Sequence, residues 1–385
     1  MKKVYLLSLV FLMLNAGCVS SRKTEEQASS VTVKRTIAQQ SSFVRSQTPL
    51  FQTYESMELT LTAPLNRLFS VRARANAENP RAILDHSVNG TIEYLNRDGQ
   101  KVSLNVTIKL RGNTSQDLSE CPFPKMRFRF NKDQIRGTLF EGNEEINLGT
   151  HCGEGEERSR GFGRLWHSNS PEREAFVYRM LEILDIPGYK ARSVQMKYVN
   201  TEDTNQYPQA YTAFFLEDVE TIVKRHRGVE VRYNRGLGPV RESERVRYDF
   251  KTLEDLGPLD ATGLIKIAYF QDFIHNTDWS LPLSSRNYGF GMLWNMKVFV
   301  HGQPSQVVVM PYDFDLAYMV CANSRWRSQS GSSIANVFSE DQRRQVRDFF
   351  RSKRAELERA ANDLNSDNRR FILEEINGFY NSLPN

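Results

Sequence analysis

The strongest constraint on this chain is the stretch from Phe270 to Tyr318, FQDFIHNTDWSLPLSSRNYGFGMLWNMKVFVHGQPSQVVVMPYDFDLAY. It reads as the end of a helix near Ile274, then a polar loop carrying Asp278 and Asn287. A strand hairpin over residues 293–300 and 306–312 follows, joined by His301-Gly302-Gln303-Pro304; Gly and Pro between two β-rich runs mark a turn. The hairpin delivers Asp313 and Asp315 at the end of an apolar run. Carboxylates in such a setting are costly unless they are paired or metal-bound. Asp278, Asn287 and Asp313 are the residue types that metal-dependent phosphoryl transfer needs. One carboxylate accepts a proton from the attacking hydroxyl, while an amide oxygen and a second carboxylate hold Mg²⁺ or Mn²⁺ against the phosphates. The competing reading makes Asp278 a turn or helix-cap residue, since Asp and Asn favour such places without any catalysis.

Helix, Asp loop, Asn, hairpin and Asp follow one another in the order of a protein-kinase catalytic loop and its metal-binding Asp. The wording differs: His275-Asn-Thr-Asp278 stands for His-Arg-Asp, and Asp313-Phe-Asp315 for Asp-Phe-Gly. Asp278 and Asn287 are nine positions apart, where protein kinases use about five. With Asn276-x-Asp278-Trp279, Arg286-Asn287-Tyr288 and Pro311-Tyr-Asp-Phe-Asp-Leu-Ala317, the stretch resembles the CotH family of atypical kinase-like proteins. The resemblance spans about residues 58–318 and includes Arg111-Gly-Asn-Thr-Ser115, close to that family's Arg-Gly-Asn-Ser-Ser. It implies a two-lobed kinase-like α+β fold, ATP as donor, and Asp278 as general base. Asn287 and Asp313 would be metal ligands, with Asp315 a second-metal or orienting group.

The same resemblance names nucleotide-binding candidates. Arg111 and Ser115 lie on a Gly-containing turn of the kind that points N–H groups and a guanidinium at phosphate; a plain hairpin corner is the alternative. The family's Lys strand corresponds to Cys121-Pro-Phe-Pro-Lys125-Met-Arg127-Phe-Arg129, with its cations displaced. Lys125, Arg127 and Arg129 are the alternatives, and a strand without a nucleotide-binding cation is the remaining one. Glu174, with Glu172 second, sits where a regulatory helix would pair that cation, although a solvent-exposed first-turn acid is the favoured reading of either. Glu217 closes an apolar strand at the expected link between lobes, where it is also placed to cap the next helix.

Elsewhere periodicity governs. Val102, Leu104, Val106, Ile108 and Leu110 alternate with polar residues, which predicts a strand with one buried face. It pairs with Gly90–Leu95 through a turn at Asn96-Arg-Asp-Gly99. Met126, Phe128 and Phe130 alternate in another strand, and further strands are predicted over 191–200 and 208–216. Helices are predicted over 170–186, with Ser170 as cap and Pro171 first, and over 260–274 with an amphipathic pattern. Two more, from the Ser339-Glu-Asp-Gln342 capping box to about Leu364 and over 367–382, read as surface helices.

The first 17 residues read as a targeting segment: Lys2-Lys3, a short apolar core, then Leu14-Asn-Ala-Gly-Cys18, which resembles a bacterial lipobox. That resemblance implies lipidation at Cys18 and anchoring by acyl chains, with Val19 favouring the outer membrane, facing the periplasm. Residues 18–54, rich in Ser, Thr and Gln, read as a flexible tether. Three cysteines remain, of which Cys121 and Cys152 are the preferred disulfide, closing a loop worth roughly 3–4 kcal/mol if unstrained. Lobes are expected over 55–220 (β-rich, with one helix) and 221–385 (helical, with the acid loops).

Net charge is +5, mild for a chain of this length, and no nucleic-acid motif is present. Residues 224–251 hold nine Lys/Arg against four acids. This segment reads as a solvated loop or as a basic flap drawing an acidic protein or another polyanion. No G-x-S-x-G occurs, and none of the six histidines has a nucleophile context, so Ser/His/Asp hydrolysis is disfavoured. Two functions compete: a phosphotransferase acting on a Ser/Thr or other hydroxyl in the envelope, and a lipid-anchored binding or assembly module that kept the fold without the chemistry.

Overall fold

The alternation around Leu104 builds the first layer. In a computed structural model, which describes residues 43–74, 86–112, 121–152, 169–231, 250, 252–283, 293–302, 306–323 and 337–384, strand β3 (Lys101–Leu110) buries Leu104, Val106, Ile108 and Leu110. It pairs antiparallel with β2 (Ser87–Leu95) across the predicted turn. Asn96 shapes that turn: its side-chain oxygen accepts the N–H groups of Asp98 and Gln100 at 3.0 and 2.9 Å. Gly99 takes φ +75°, a conformation open to glycine.

With β1 (Met57–Ala63), β4 (Met126–Arg129), β5 (Glu145–Gly149), β6 (Ala191–Asn200) and β7 (Ala210–Leu216), these strands form a closed seven-stranded barrel, ordered β1-β2-β3-β4-β5-β7-β6. Closure comes from a parallel pairing of β1 with β6, Leu59 opposite Met196. Leu61, Ile92, Phe128, Ile146, Val194 and Phe215 fill the interior. At Gly149 on β5 an added Cβ would lie 2.0 Å from the Phe214 ring of β7, so only glycine fits this approach. Helix α1 (Leu65–Arg74) lies between β1 and β2 in sequence and contacts β2 and β3.

Helix α2 (Ser170–Ile183) connects the barrel to the rest. Its cap is Asn169 rather than Ser170, and Pro171 sits in the first turn, where its missing N–H costs nothing. Nearly its whole circumference is buried, because it touches β6 and β7 on one side and the C-terminal helices on the other. Its last turn is closed by Arg45, whose guanidinium donates to the carbonyls of Leu181 and Ile186 at 3.1 and 2.7 Å. That contact corrects the tether: it ends before residue 43, since Leu50, Phe51 and Ser46 are buried and Pro49–Phe51 form a short 3₁₀ turn. Apolar residues scattered among polar ones gave no period, yet Leu50 and Phe51 are buried against the fold.

The second core gathers α2 with α3 (Val219–Arg225), α4 (Ala261–Phe273), α5 (Tyr318–Cys321), α6 (Glu340–Ala361) and α7 (Ser366–Ser382). A three-stranded sheet ordered β10-β9-β8 joins it, from β8 (Val229–Val231), β9 (Met296–His301) and β10 (Gln306–Pro311). Helix α4 departs from the amphipathic reading: Lys266 and Gln271 are buried along with its apolar residues. Helices α6 and α7 cover it, with Phe273 stacked on Phe379 at 4.0 Å. The Ser339–Gln342 capping box opens α6. Asn365 opens α7 by accepting the N–H groups of Asp367 and Asn368. The fold is α+β.

Candidate functional site

The acids of the central stretch meet a lysine from the barrel. Lys125 lies just ahead of β4, where its carbonyl accepts the Arg111 N–H at 3.0 Å and so extends the β3–β4 ladder by one residue. The segment before it is pinned by a Cys121–Cys152 disulfide and by the Thr150 hydroxyl, which donates to the Phe123 carbonyl at 2.8 Å. Arg72 donates to the carbonyls of Cys121 and Pro122. So anchored, the Lys125 ammonium reaches Asp313 Oδ1 at 3.1 Å and Asp315 Oδ2 at 3.0 Å. Asp313 has φ +64°, a left-handed backbone that Asp tolerates better than most residues. Its N–H donates to the Tyr178 hydroxyl of α2 at 3.1 Å. Asp313 is 41% exposed at the side chain and Asp315 12%, so one carboxylate faces outward and the other is closed in.

Glu174 of α2 faces the same place. It is 5% exposed, not the solvated first-turn acid of the alternative reading. Burial pushes its carboxyl up to about 7; Lys125 and Arg111 oppose the push, and Asp315 and Asp313 add to it. Glu172, the second candidate, turns away to Asn365 and Asn368 at the start of α7.

Asp278 completes the cluster. Its backbone is set by Asn276, whose side-chain oxygen accepts the Asp278 N–H at 3.0 Å and whose amide donates to Gln271 Oε1 at 2.9 Å. Its carboxylate takes one donor on each oxygen: Trp294 Nε1 on Oδ1 at 2.7 Å and Asn295 Nδ2 on Oδ2 at 2.9 Å. Burial pushes the Asp278 carboxyl above its ordinary range; Trp294 and Asn295 oppose this, and the charges of Asp313 and Asp315 reinforce it. Asp278 therefore stands close to the Lys125 cluster, not merely at a helix end. His275, just past α4, accepts the Tyr318 N–H at its carbonyl, and its ring lies 3.4 Å from Glu375 of α7.

Trp294 and Asn295 carried no signal of this role, because they read as the start of a strand. The β9 ladder begins only at Met296. Asn295 has φ +50°, which breaks the extended run. An Asn directly before an apolar strand is a weak cue for such a kink.

Other candidates lie elsewhere. Arg127 points to the link after β7, with its Nε donating to Asn147 at 3.2 Å and Nη2 3.4 Å from Asp218. Arg129 is exposed and pairs with Glu145 at 2.8 Å. Glu217 is 1% exposed and its carboxylate accepts from the Lys190 N–H at 2.8 Å and from Arg225; it is not the cap of α3, which is Asp218. Cys18, Ser115, Asn287 and most of the 224–251 basic segment lie outside the described residues. Among the described residues no helix is long and apolar enough to cross a membrane.

Among the described residues no three His, Cys, Asp or Glu side chains are gathered closely enough to hold a metal ion. Asp313 and Asp315 nevertheless already converge on one cation, the Lys125 ammonium, with oxygen donors of the hard type that suits Mg²⁺ or Mn²⁺. Glu174 and Asp278 add negative charge around them. No family model matches the chain, and no characterised protein matched it either.

Proposed function

We propose that this chain is an envelope-anchored, CotH-like phosphotransferase of two-lobed kinase type, moving a phosphoryl group from ATP to a protein Ser/Thr or another hydroxyl. The observation that carries this reading is the convergence of Lys125, Glu174, Asp278, Asp313 and Asp315, which come from both cores. The barrel supplies the cation, α2 the buried Glu, and the C-terminal part the acids, the kinds of group that phosphate handling uses.

In this reading Asp278 takes the proton of the acceptor hydroxyl as its oxygen bonds to phosphorus. The bond from the γ-phosphorus to the bridging oxygen breaks, and ADP leaves. Lys125 is the phosphate-binding cation, since its ammonium donates three N–H bonds and phosphate oxygens can compete with Asp313 and Asp315 for it. Glu174 waits beside Lys125 as an alternative partner once those aspartates are otherwise engaged. Asp313 and Asp315, with Asn287, would hold Mg²⁺ or Mn²⁺, whose contribution is to neutralise charge on the transferring group. The 224–251 segment would draw an acidic or polyanionic acceptor, and Cys18 would carry the lipid that keeps the domain at the outer membrane, facing the periplasm.

Phosphate transfer from labelled ATP by the full chain in detergent, with Mg²⁺ or Mn²⁺, tests the reading. Label on the protein or on a mixed protein substrate is expected, lost in Asp278→Ala and Asp313→Asn. No transfer, together with no rise in melting temperature on adding nucleotide and metal, would leave the assembly-module reading. The Lys125 ion pairs would then be structural.

A further inference from the structure

Asp278 and Asp313 belong to different loops, 35 residues apart in sequence, and their relative placement has to be set by something that touches both. Asn295 does. Its side-chain amide donates both of its N–H bonds to Asp278, one to Oδ2 at 2.9 Å and one to the main-chain carbonyl at 2.7 Å. Its own main-chain carbonyl accepts the N–H of Tyr312, the neighbour of Asp313, at 3.0 Å. The left-handed backbone at φ +50° lets one residue turn its side chain to one loop and its carbonyl to the other. Trp294 works alongside. Its indole N–H holds Asp278 Oδ1 at 2.7 Å, while its main-chain N–H and C=O both pair with Ser280 at 3.1 Å. The Asp278 loop is thereby laid along the root of β9.

We propose that Asn295, assisted by Trp294, is the positioning residue that sets the spacing between Asp278 and the Asp313–Asp315 pair. The proposal rests on Asp278 being the base of the reaction above. A carboxylate offers about four lone-pair sites, so a donor on each oxygen fixes the rotation of the group and still leaves it able to accept the hydroxyl proton. Asn suits the position on two counts: it tolerates the left-handed backbone, and its amide matches a carboxylate and a carbonyl at once. Asp there would add a like charge, and Gln would carry the amide too far.

Two variants separate positioning from folding. Asn295→Gly keeps the backbone conformation and the carbonyl bond to Tyr312 while removing the amide. Trp294→Phe keeps the ring and the pairing with Ser280 while removing the N–H. Each is expected to lower kcat for ATP-dependent transfer by about 10- to 100-fold, the cost of a misplacement near 1 Å. KM for ATP should stay within about twofold, because the Lys125 ammonium is held by Asp313 and Asp315. Unchanged kcat in both variants of an active protein overturns the proposal. A second readout needs no activity: the Trp294 indole N–H resonance, identified by its loss in Trp294→Phe. Asp278→Ala and Asn295→Gly should both move it, and an indole signal indifferent to Asp278→Ala overturns the bond itself. If the parent transfers no phosphate, the phosphotransferase reading fails on its own account. The indole signal then decides whether Asn295 and Trp294 hold Asp278.

Discussion

Two clusters of carboxylates in this chain are handled in opposite ways. At the link after β7, Glu217 and Asp218 are almost fully enclosed, and their oxygens are met by donors. Arg225 and the Lys190 N–H serve Glu217; the Glu220 N–H and Arg127 serve Asp218. The Asn147 amide adds a bond to the Glu217 carbonyl at 3.2 Å. Around Asp313 and Asp315, which share Lys125, the carboxyls of Glu174 and Asp278 are pushed upward by burial first and then by the charges of those two aspartates. A satisfied cluster holds a joint together. A crowded one retains capacity for a further cation or a proton, and perturbed carboxyls gathered in one place are a mark of function.

The contrast breaks first on activity. Asp313→Asn keeps the left-handed backbone and removes a half-exposed charge. It should cut phosphate transfer by about 10³-fold, in line with losing a group that holds a catalytic charge in place. Stability from urea unfolding should move by less than about 1 kcal/mol, because a repulsion goes with it. A protein that loses stability and keeps its activity would invert the comparison.

Next comes the joint. Arg225→Ala leaves the Glu217 carboxylate buried without its cation, and should cost about 3 kcal/mol in urea unfolding. A loss below about 1 kcal/mol would show that the Lys190 N–H alone satisfies Glu217.

Glu174 sharpens the contrast through pH. Its folded value near 7 stands above the ordinary 4.5. Between those limits the folded chain keeps a proton that the unfolded chain has released. The associated stability is therefore fully present below pH 4.5 and is lost as pH rises through 7. The parent should lose stability relative to Glu174→Gln across that window, by at most about 1.4 kcal/mol per pH unit. A flat difference would mean that Lys125 keeps Glu174 ionised throughout.

The smallest effect separates the candidate cations. Arg129→Ala breaks an exposed pair, and should change stability by less than about 0.5 kcal/mol. The rise in melting temperature on adding ATP with Mg²⁺ should survive it and vanish in Lys125→Met. Equal losses in the two variants would move nucleotide binding off Lys125.

Much of the local structure was legible in the sequence. The period of two in β3, the Asn96–Gly99 turn, the Ser339 capping box and the β9–β10 hairpin all follow from residues within a few positions of one another, where sterics and side-chain alternation act directly. Helix boundaries moved by a few residues: α2 took Asn169 as its cap, and the run 293–300 became a strand only at Met296. Burial was less legible. Nothing near α4 in sequence announces that both of its faces are covered, and the irregular segment from residue 43 buries Ser46, Leu50 and Phe51.

For the site, the sequence by itself determined the chemistry on offer: an Asp loop, an Asp-x-Asp at the end of an apolar strand, and Lys125, Arg127 and Arg129 on one short segment. Which of those cations meets the acids was decided only by tertiary structure. Period two puts all three cations on one side of β4, and their place along the strand separates them: Arg127 and Arg129 reach Glu145 of β5, while Lys125, one step before the strand, reaches across 188 residues of chain to Asp313. Barrel closure, through the parallel pairing of β1 with β6, belongs with these long-range decisions, as do the burial of Glu174 and the seating of Asp278 on Trp294 and Asn295. The physical reason is common to all of them. A backbone period is set by near neighbours, whereas a buried charge takes its partner from whatever the folded chain brings beside it.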